Sequence, residues 1–227
     1  MKYGVLGTGI VGQTLATKLA DLSHEVMMGT RDVARTMART EPDAYGNLPF
    51  CTWKEQHPHV QIGTFAQAAA FGELVVNTTA GSNSLEALRM IDPASLAGKI
   101  LIDVANPLDF SRGMPPSLSV VNADSLGEQI QRAFPHAKVV KTLNTMHTTL
   151  MVNPAWLANG EHDVFVCGND PEARAQVTEL LINGFGWRDV IDLGDITAAR
   201  GMEMLLPLWL RLWDTLRTPL FNFKIVR

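Results

Sequence analysis

Three glycines near the start of the chain constrain its fold more than any other feature. They lie in Gly7-Thr8-Gly9-Ile10-Val11-Gly12, with the spacing G-x-G-x-x-G. An apolar run, Tyr3–Leu6, leads into them. Val11, Leu15, Leu19 and Leu22 follow at helical spacing, which predicts a helix over 11–22. Glycines with this spacing are common by themselves; a strand before them and a helix after them make the pattern selective. The first glycine then permits a tight turn, the second lets backbone approach a pyrophosphate, and the third lets helix and strand pack closely. The helix start adds free N–H groups and a partial positive charge. All six loop residues are therefore candidate dinucleotide ligands.

The rest of the first half keeps the same rhythm of short apolar runs and helical patterns. His24–Met28, Val60–Gly63, Leu74–Thr78 and Lys99–Val104 read as strands, with helices over Val33–Arg39, Thr64–Phe71 and Ser84–Met90 between them. Glu41–His59, with Pro42, Gly46, Pro49 and Pro58, reads as an irregular excursion. This is the pattern of an α/β, Rossmann-type doubly wound and mainly parallel sheet. Ser125–Phe134 reads as a capped helix, Lys138–Leu143, Asp163–Val166 and Asp189–Leu193 as strands, and Pro171–Ile182 as a helix. Ile196–Leu216 reads as one long apolar helix, kinked near Gly201 or Pro207. The expected division is a nucleotide-binding domain over 1–140 and a small C-terminal lobe over 141–227. In that last helix Met202, Leu205, Leu206, Trp209, Leu212, Trp213 and Leu216 form a stripe, and Leu208 and Leu210 widen it. Such a helix is expected to serve both the core and a homodimer contact, with Met202 nearer the cleft.

The identity of the nucleotide should be legible at the end of the second strand. An NAD site places an acid there, about 20 residues after the loop, on the ribose hydroxyls. Here the run is Met28-Gly29-Thr30-Arg31-Asp32. Thr30 and Arg31 offer a hydroxyl and a guanidinium, which suit a 2′-phosphate, and Arg35 lies one turn beyond. NADP(H) is the expected cofactor. Asp32 has two readings, a helix cap or a displaced ribose acid.

Composition removes other classes. The 227 residues are 46% apolar with a formal net charge of −4, and their cations are scattered, so a core is available and nucleic acid is not the expected partner. Cys51 and Cys167 have no ligand-spaced neighbours, and His57 and His59 only flank Pro58; no metal is expected. The longest apolar stretch, Met204–Trp213, is too short for a membrane span and contains Arg211. Met1–Leu6 runs straight into the glycine loop rather than through a leader, and the thiols are unpaired, so the expected compartment is the cytoplasm.

Two later motifs add to the glycine loop and the Gly29-Thr30-Arg31 turn. They are Ile102-Asp103-Val104-Ala105-Asn106-Pro107 and Val140-Lys141-Thr142-Leu143-Asn144-Thr145, each at a strand end. Together, over nearly the whole chain, these resemble the NADPH-dependent reductases of the coenzyme F420-dependent NADP oxidoreductase family. The resemblance implies that Thr30, Arg31 and Arg35 hold the 2′-phosphate. It implies a nicotinamide near Ala105-Asn106-Pro107 and Asn144-Thr145-Met146, approached past Thr78-Thr79-Ala80. Met146 and Met202 would face the substrate. The implied reaction is hydride transfer between NADP(H) and a deazaflavin (coenzyme F420), a flavin-like co-substrate or a small electrophilic acceptor. A small carbonyl or imine would need a proton donor, for which His147 is the candidate; its other reading is structural. The longer loop through Pro107, Gly113 and Pro115-Pro116, and Trp209 with Trp213, depart from what the cofactor alone requires. The competing reading is a non-catalytic NADP(H)-binding redox sensor.

Overall fold

A computed structural model describes residues 1–42 and 46–227. The chain runs β1 (Lys2–Leu6), α1 (Ile10–Asp21), β2 (Glu25–Thr30), α2 (Val33–Met37), α3 (Phe50–Gln56), β3 (Gln61–Thr64), α4 (Phe65–Phe71), β4 (Leu74–Asn77), α5 (Gly81–Leu88) and β5 (Ile100–Asp103). A two-stranded ribbon of β6 (Leu108–Asp109) and β7 (Ser117–Leu118) precedes α6 (Leu126–Ala133) and β8 (Lys138–Thr142). Then come α7 (Thr148–Val152), β9 (Asp163–Gly168), α8 (Pro171–Glu179), β10 (Asp189–Asp192), α9 (Ala199–Met204) and α10 (Leu206–Leu216).

One eight-stranded sheet carries the molecule, in the order β10-β9-β8-β5-β4-β1-β2-β3. From β3 to β8 every pairing is parallel; β9 joins β8 antiparallel, and β10 is parallel to β9. This is the Rossmann-type doubly wound sheet expected from the strand–helix rhythm. The expected division at 140/141 falls inside β8, and β9 and β10 continue the same sheet.

Alternation along each strand builds two cores. Val5, Val76, Ile102 and Val140 point to the face covered by α1, α7 and α8, while Leu6, Val75, Leu101 and Val139 point to the face covered by α4, α5, α6 and α9. Both faces are covered, so the strands read as unbroken apolar runs. The strand order reverses between β1 and β4: β2 and β3 lie on one side of β1, and β4, β5 and β8 on the other. The carboxyl ends of β1 and β4 therefore frame the crevice where open sheets of this kind take ligands.

Three expectations change in detail. Glu41–His59 is not irregular throughout, because α3 occupies Phe50–Gln56; residues 43–45 of that stretch lie outside the described residues. Pro49 sits at the N-cap of α3, where no amide hydrogen is needed, so it starts the helix instead of breaking it. Ile196–Leu216 is not one long helix. A 3-10 turn over Ile196–Ala198 leads into α9, which ends at Met204; Leu205 caps both helices, and α10 begins at Leu206 with Pro207 in its first turn. The loop after Pro107 contains the β6–β7 ribbon, whose strands of two residues are too short to leave a sequence pattern.

A dinucleotide crevice at the carboxyl edge of the sheet

The glycine loop turns from β1 into α1 as its spacing requires. Gly7 has φ +115°, a left-handed conformation, and a Cβ there would stand 2.8 Å from Thr78 Oγ1. Thr78 in turn donates to the Leu6 carbonyl at 2.8 Å, which locks the β4 loop against the β1 loop. A Cβ on Gly12 would collide with the Gly7 carbonyl. Gly9 differs from both. Its φ is −74° and a Cβ would meet nothing within 4 Å among the described residues, so neither its conformation nor packing against them demands glycine there. Gly9 is the N-cap of α1, no side chain caps that helix, and no acid occupies its first turn. Open space in front of uncapped N–H groups is a cradle for an anion. The pyrophosphate group fits this place.

Beside the loop lies a cavity of about 180 Å3, lined by Thr8, Gly9, Gln13, Thr30, Thr36 and Arg39 among others. Thr30 and Thr36 share a hydroxyl–hydroxyl bond of 2.7 Å at its wall. Arg31 turns across the crevice, its Nη2 3.3 Å from Glu86 Oε1 on α5, with both side chains well exposed. Asp32 is the N-cap of α2, and its Oδ1 accepts the Arg35 N–H at 2.9 Å. The cap reading of Asp32 therefore holds. Thr36 and Arg39 escaped the sequence reading, although both follow Arg31 and Arg35 along one short helical stretch.

On the other side of the switch, the loops after β4, β5 and β8 meet. Asn106 Nδ2 donates to the Asn144 carbonyl at 2.8 Å, and Asn144 Nδ2 donates back to Asn106 Oδ1 at 2.9 Å and to the Met202 carbonyl at 3.1 Å. These bonds draw 105–107, 144–146 and the start of α9 together. Asn144 is 2% exposed, yet its Oδ1 has no hydrogen-bond partner among the described residues. A buried amide acceptor left empty loses roughly 1–3 kcal/mol relative to a paired one. Leu143, just before it, has φ +61°, a conformation that costs a leucine about 1–2 kcal/mol. Thr145 and Met146 are buried beside it, and Met202 is buried on α9. Gly81, unflagged by the sequence reading, lets α5 begin hard against the Asn106 carbonyl.

Beneath these loops runs a polar network that the sequence reading missed. Lys141 of β8 has no exposed side-chain surface; its ammonium donates to Asp103 Oδ2 at 2.8 Å, to Glu203 Oε1 at 2.9 Å and to the Ala105 carbonyl. Burial alone would push that ammonium down, but Asp103 and Glu203 outweigh it and hold it above the usual lysine value. Asp103 Oδ1 accepts from Asn77 Nδ2 at 2.8 Å and from the Ala105 N–H at 3.2 Å. Asn77 Oδ1 accepts the Thr79 hydroxyl at 2.7 Å, and Glu203 accepts the first N–H groups of α6, Leu126 and Gly127. The signal was available. Charged residues within the apolar strands I-L-I-D and V-V-K-T must find partners.

His147 is the N-cap of α7, its Nδ1 accepting the Thr149 N–H at 3.4 Å, and burial pushes its pKa below the ordinary histidine value. It is placed as a helix cap. Among the described residues, no helix is long and apolar enough to cross a membrane, and no cluster of three or more side chains could hold a metal.

Similarities to known proteins agree with this crevice. Residues 2–107 match the family model for coenzyme F420-dependent NADP oxidoreductases. A structure from Arthrobacter sp. FB24, provisionally described as an F420-dependent NADP reductase, is 61% identical over the full length of both chains, with a TM-score of 0.96. The F420-dependent NADP reductase of Methanocaldococcus jannaschii is 28% identical over 217 residues, which cover 92% of this chain and 90% of that one. Rat metalloreductase STEAP3 is 28% identical over 213 residues, but the chain spans only 38% of its length. The glycine loop, the strand-end loops and full-length similarity to the Arthrobacter protein converge: the chain belongs to the coenzyme F420-dependent NADP oxidoreductase family and is an NADP-dependent oxidoreductase.

Proposed function

We propose that the chain carries hydride between NADPH and a deazaflavin or flavin-like acceptor at the carboxyl edge of its sheet. The open, uncapped start of α1 at Gly9, facing loops already fixed by the Asn106–Asn144 pair, carries this reading, because it seats a dinucleotide's phosphates beside an ordered place for its ring. In this reading Gly7–Gly12 hold the pyrophosphate. Thr30, Arg31 and Arg35, joined by Thr36 and Arg39, hold the 2′-phosphate. Thr78-Thr79-Ala80 and Ala105-Asn106-Pro107 flank the ring, and Asn144-Thr145 orient it. Met146 and Met202 give the acceptor an apolar seat. When bound, the nicotinamide supplies the hydride itself, and the protein supplies position and water exclusion.

Two observations favour a planar two-electron acceptor over a small carbonyl. Residues 104–107 and 143–146 contain no acid or base, and His147 is engaged as a cap. The Arthrobacter and Methanocaldococcus proteins are both described as acting with F420. We further infer that a second copy covers α10, where Leu208, Trp213 and Leu216 are exposed, making the C-terminal residues a dimerisation element. Anaerobic mixing with NADPH and, in separate runs, oxidised F420, FAD and FMN tests the acceptor. One acceptor should be reduced stoichiometrically as NADPH is consumed. NADPH binding with no turnover on any of them would refute the reading.

A further inference from the structure

Three ionisable side chains lie sealed together under the crevice, and their charges do not cancel. Lys141 contributes one positive charge, and Asp103 and Glu203 contribute two negative ones. Neighbouring groups do not correct the balance. Glu128 is matched by Arg200, whose Nε stands 2.8 Å from Glu128 Oε2. Cys167, opposite Lys141 in the β8–β9 register, is neutral because burial pushes its thiol up to about 12. Asn77 and the α6 amides solvate the carboxylates with dipoles but bring no charge. A fully buried net negative charge is costly, and replacing such a pair with apolar residues often does no harm to stability. Its position argues for a use. Both Lys141 and Asp103 bond the backbone of Ala105, one through its carbonyl and the other through its N–H.

We propose that Lys141, Asp103 and Glu203 form a charged positioning unit whose net negative charge favours the oxidised, cationic nicotinamide over the reduced, neutral one. It rests on the reading of the 105–107 and 144–146 loops as the nicotinamide seat. The unit fixes the 105–107 loop directly and the 78–80 loop through Asn77. Its charge acts without touching the cofactor, because field effects persist in a dry interior where contacts need not. By linkage, tighter binding of NADP+ relative to NADPH makes the bound cofactor a stronger hydride donor.

The test measures dissociation constants for NADP+ and NADPH, with 2′-phosphoadenosine 5′-diphosphate as a probe that lacks the nicotinamide. Glu203→Gln brings the unit to neutrality and should raise Kd(NADP+)/Kd(NADPH) on the order of tenfold, the effect of one unit charge about 12 Å away in an effective dielectric near 20. Lys141→Met makes it more negative and should lower the same ratio by a similar factor. The double variant restores the original net charge and should restore the ratio. The nicotinamide-free probe should bind all variants alike. Should Lys141→Met fail to fold, Glu203→Gln and the double variant still decide, since each has its own expected ratio. A merely structural role would weaken both cofactor forms together, and a ratio unmoved in Glu203→Gln overturns the proposal. If the wild-type chain binds the nicotinamide-free probe but neither full cofactor, the placement of the nicotinamide fails with it.

Discussion

The two halves of the crevice are built on different physics. On the β1–β2 side the cation is exposed and the bonds are local: Arg31 meets Glu86 at 3.3 Å, Thr30 meets Thr36, and among the described residues no side chain caps the start of α1. On the β4–β5–β8 side a connected run of polar groups leads from the buried Glu203, Lys141, Asp103 and Asn77 to the half-buried Thr79. The first half is a set of vacant donors that a doubly charged phosphate can recruit with little rearrangement. The second half is already organised, which suits a ring whose orientation decides whether hydride can move. Substitutions should therefore separate stability from affinity according to which half they touch.

The largest effect belongs to the buried half. Lys141→Ala strands two carboxylates and should lower unfolding free energy by about 3–5 kcal/mol, measured by denaturant titration. A loss below about 1 kcal/mol would show that the triad relaxes or takes up a proton instead. Gly9→Val is the converse. It should leave stability within about 1 kcal/mol, since nothing among the described residues opposes a side chain there and only a weak N-cap preference is lost, while weakening NADPH on the order of a hundredfold. Strong destabilisation in that variant would mean that Gly9 serves the fold.

Smaller changes sharpen the exposed half. Arg31→Ala should weaken NADPH about tenfold and NADH hardly at all, the size of one charge-assisted phosphate contact. Equal losses for both nucleotides would remove the 2′-phosphate reading. Glu86→Gln should tighten NADPH by less than about threefold by freeing Arg31, because exposed pairs are weak. His147→Asn keeps a capping side chain and removes the imidazole, so turnover should stay within about threefold. A loss of a hundredfold or more, on the order expected for a general acid, would return His147 to the chemistry.

The same contrast explains what could be read from the residues alone. The exposed half is local: Gly7–Gly12 and Thr30–Arg31 each fall within a few residues of a strand end, and periodicity places those ends. Asn106 and Asn144 were legible as strand-end residues, but their mutual clamp spans 38 positions and only the β5–β8 pairing brings them together. The triad joins β5, β8 and α9, so Glu203 looked like one polar residue in an apolar helix. The β8–β9 antiparallel step was hidden for a related reason: strand direction is set by the long-range path of the chain and leaves no local pattern. The break at Leu205 was signalled by Pro207, whose missing amide hydrogen suits a helix start better than a helix interior.

In the proposed reading the crevice binds NADP(H) and delivers hydride to an acceptor that needs no protein acid. An anaerobic single-turnover reaction of the purified chain with NADPH and oxidised F420 decides it. Both absorbances should fall together in a one-to-one ratio, at a rate flat across neutral pH, with NADH far slower at equal concentration. NADPH that binds without ever reducing F420, FAD or FMN, or NADH that reacts equally well, would contradict it.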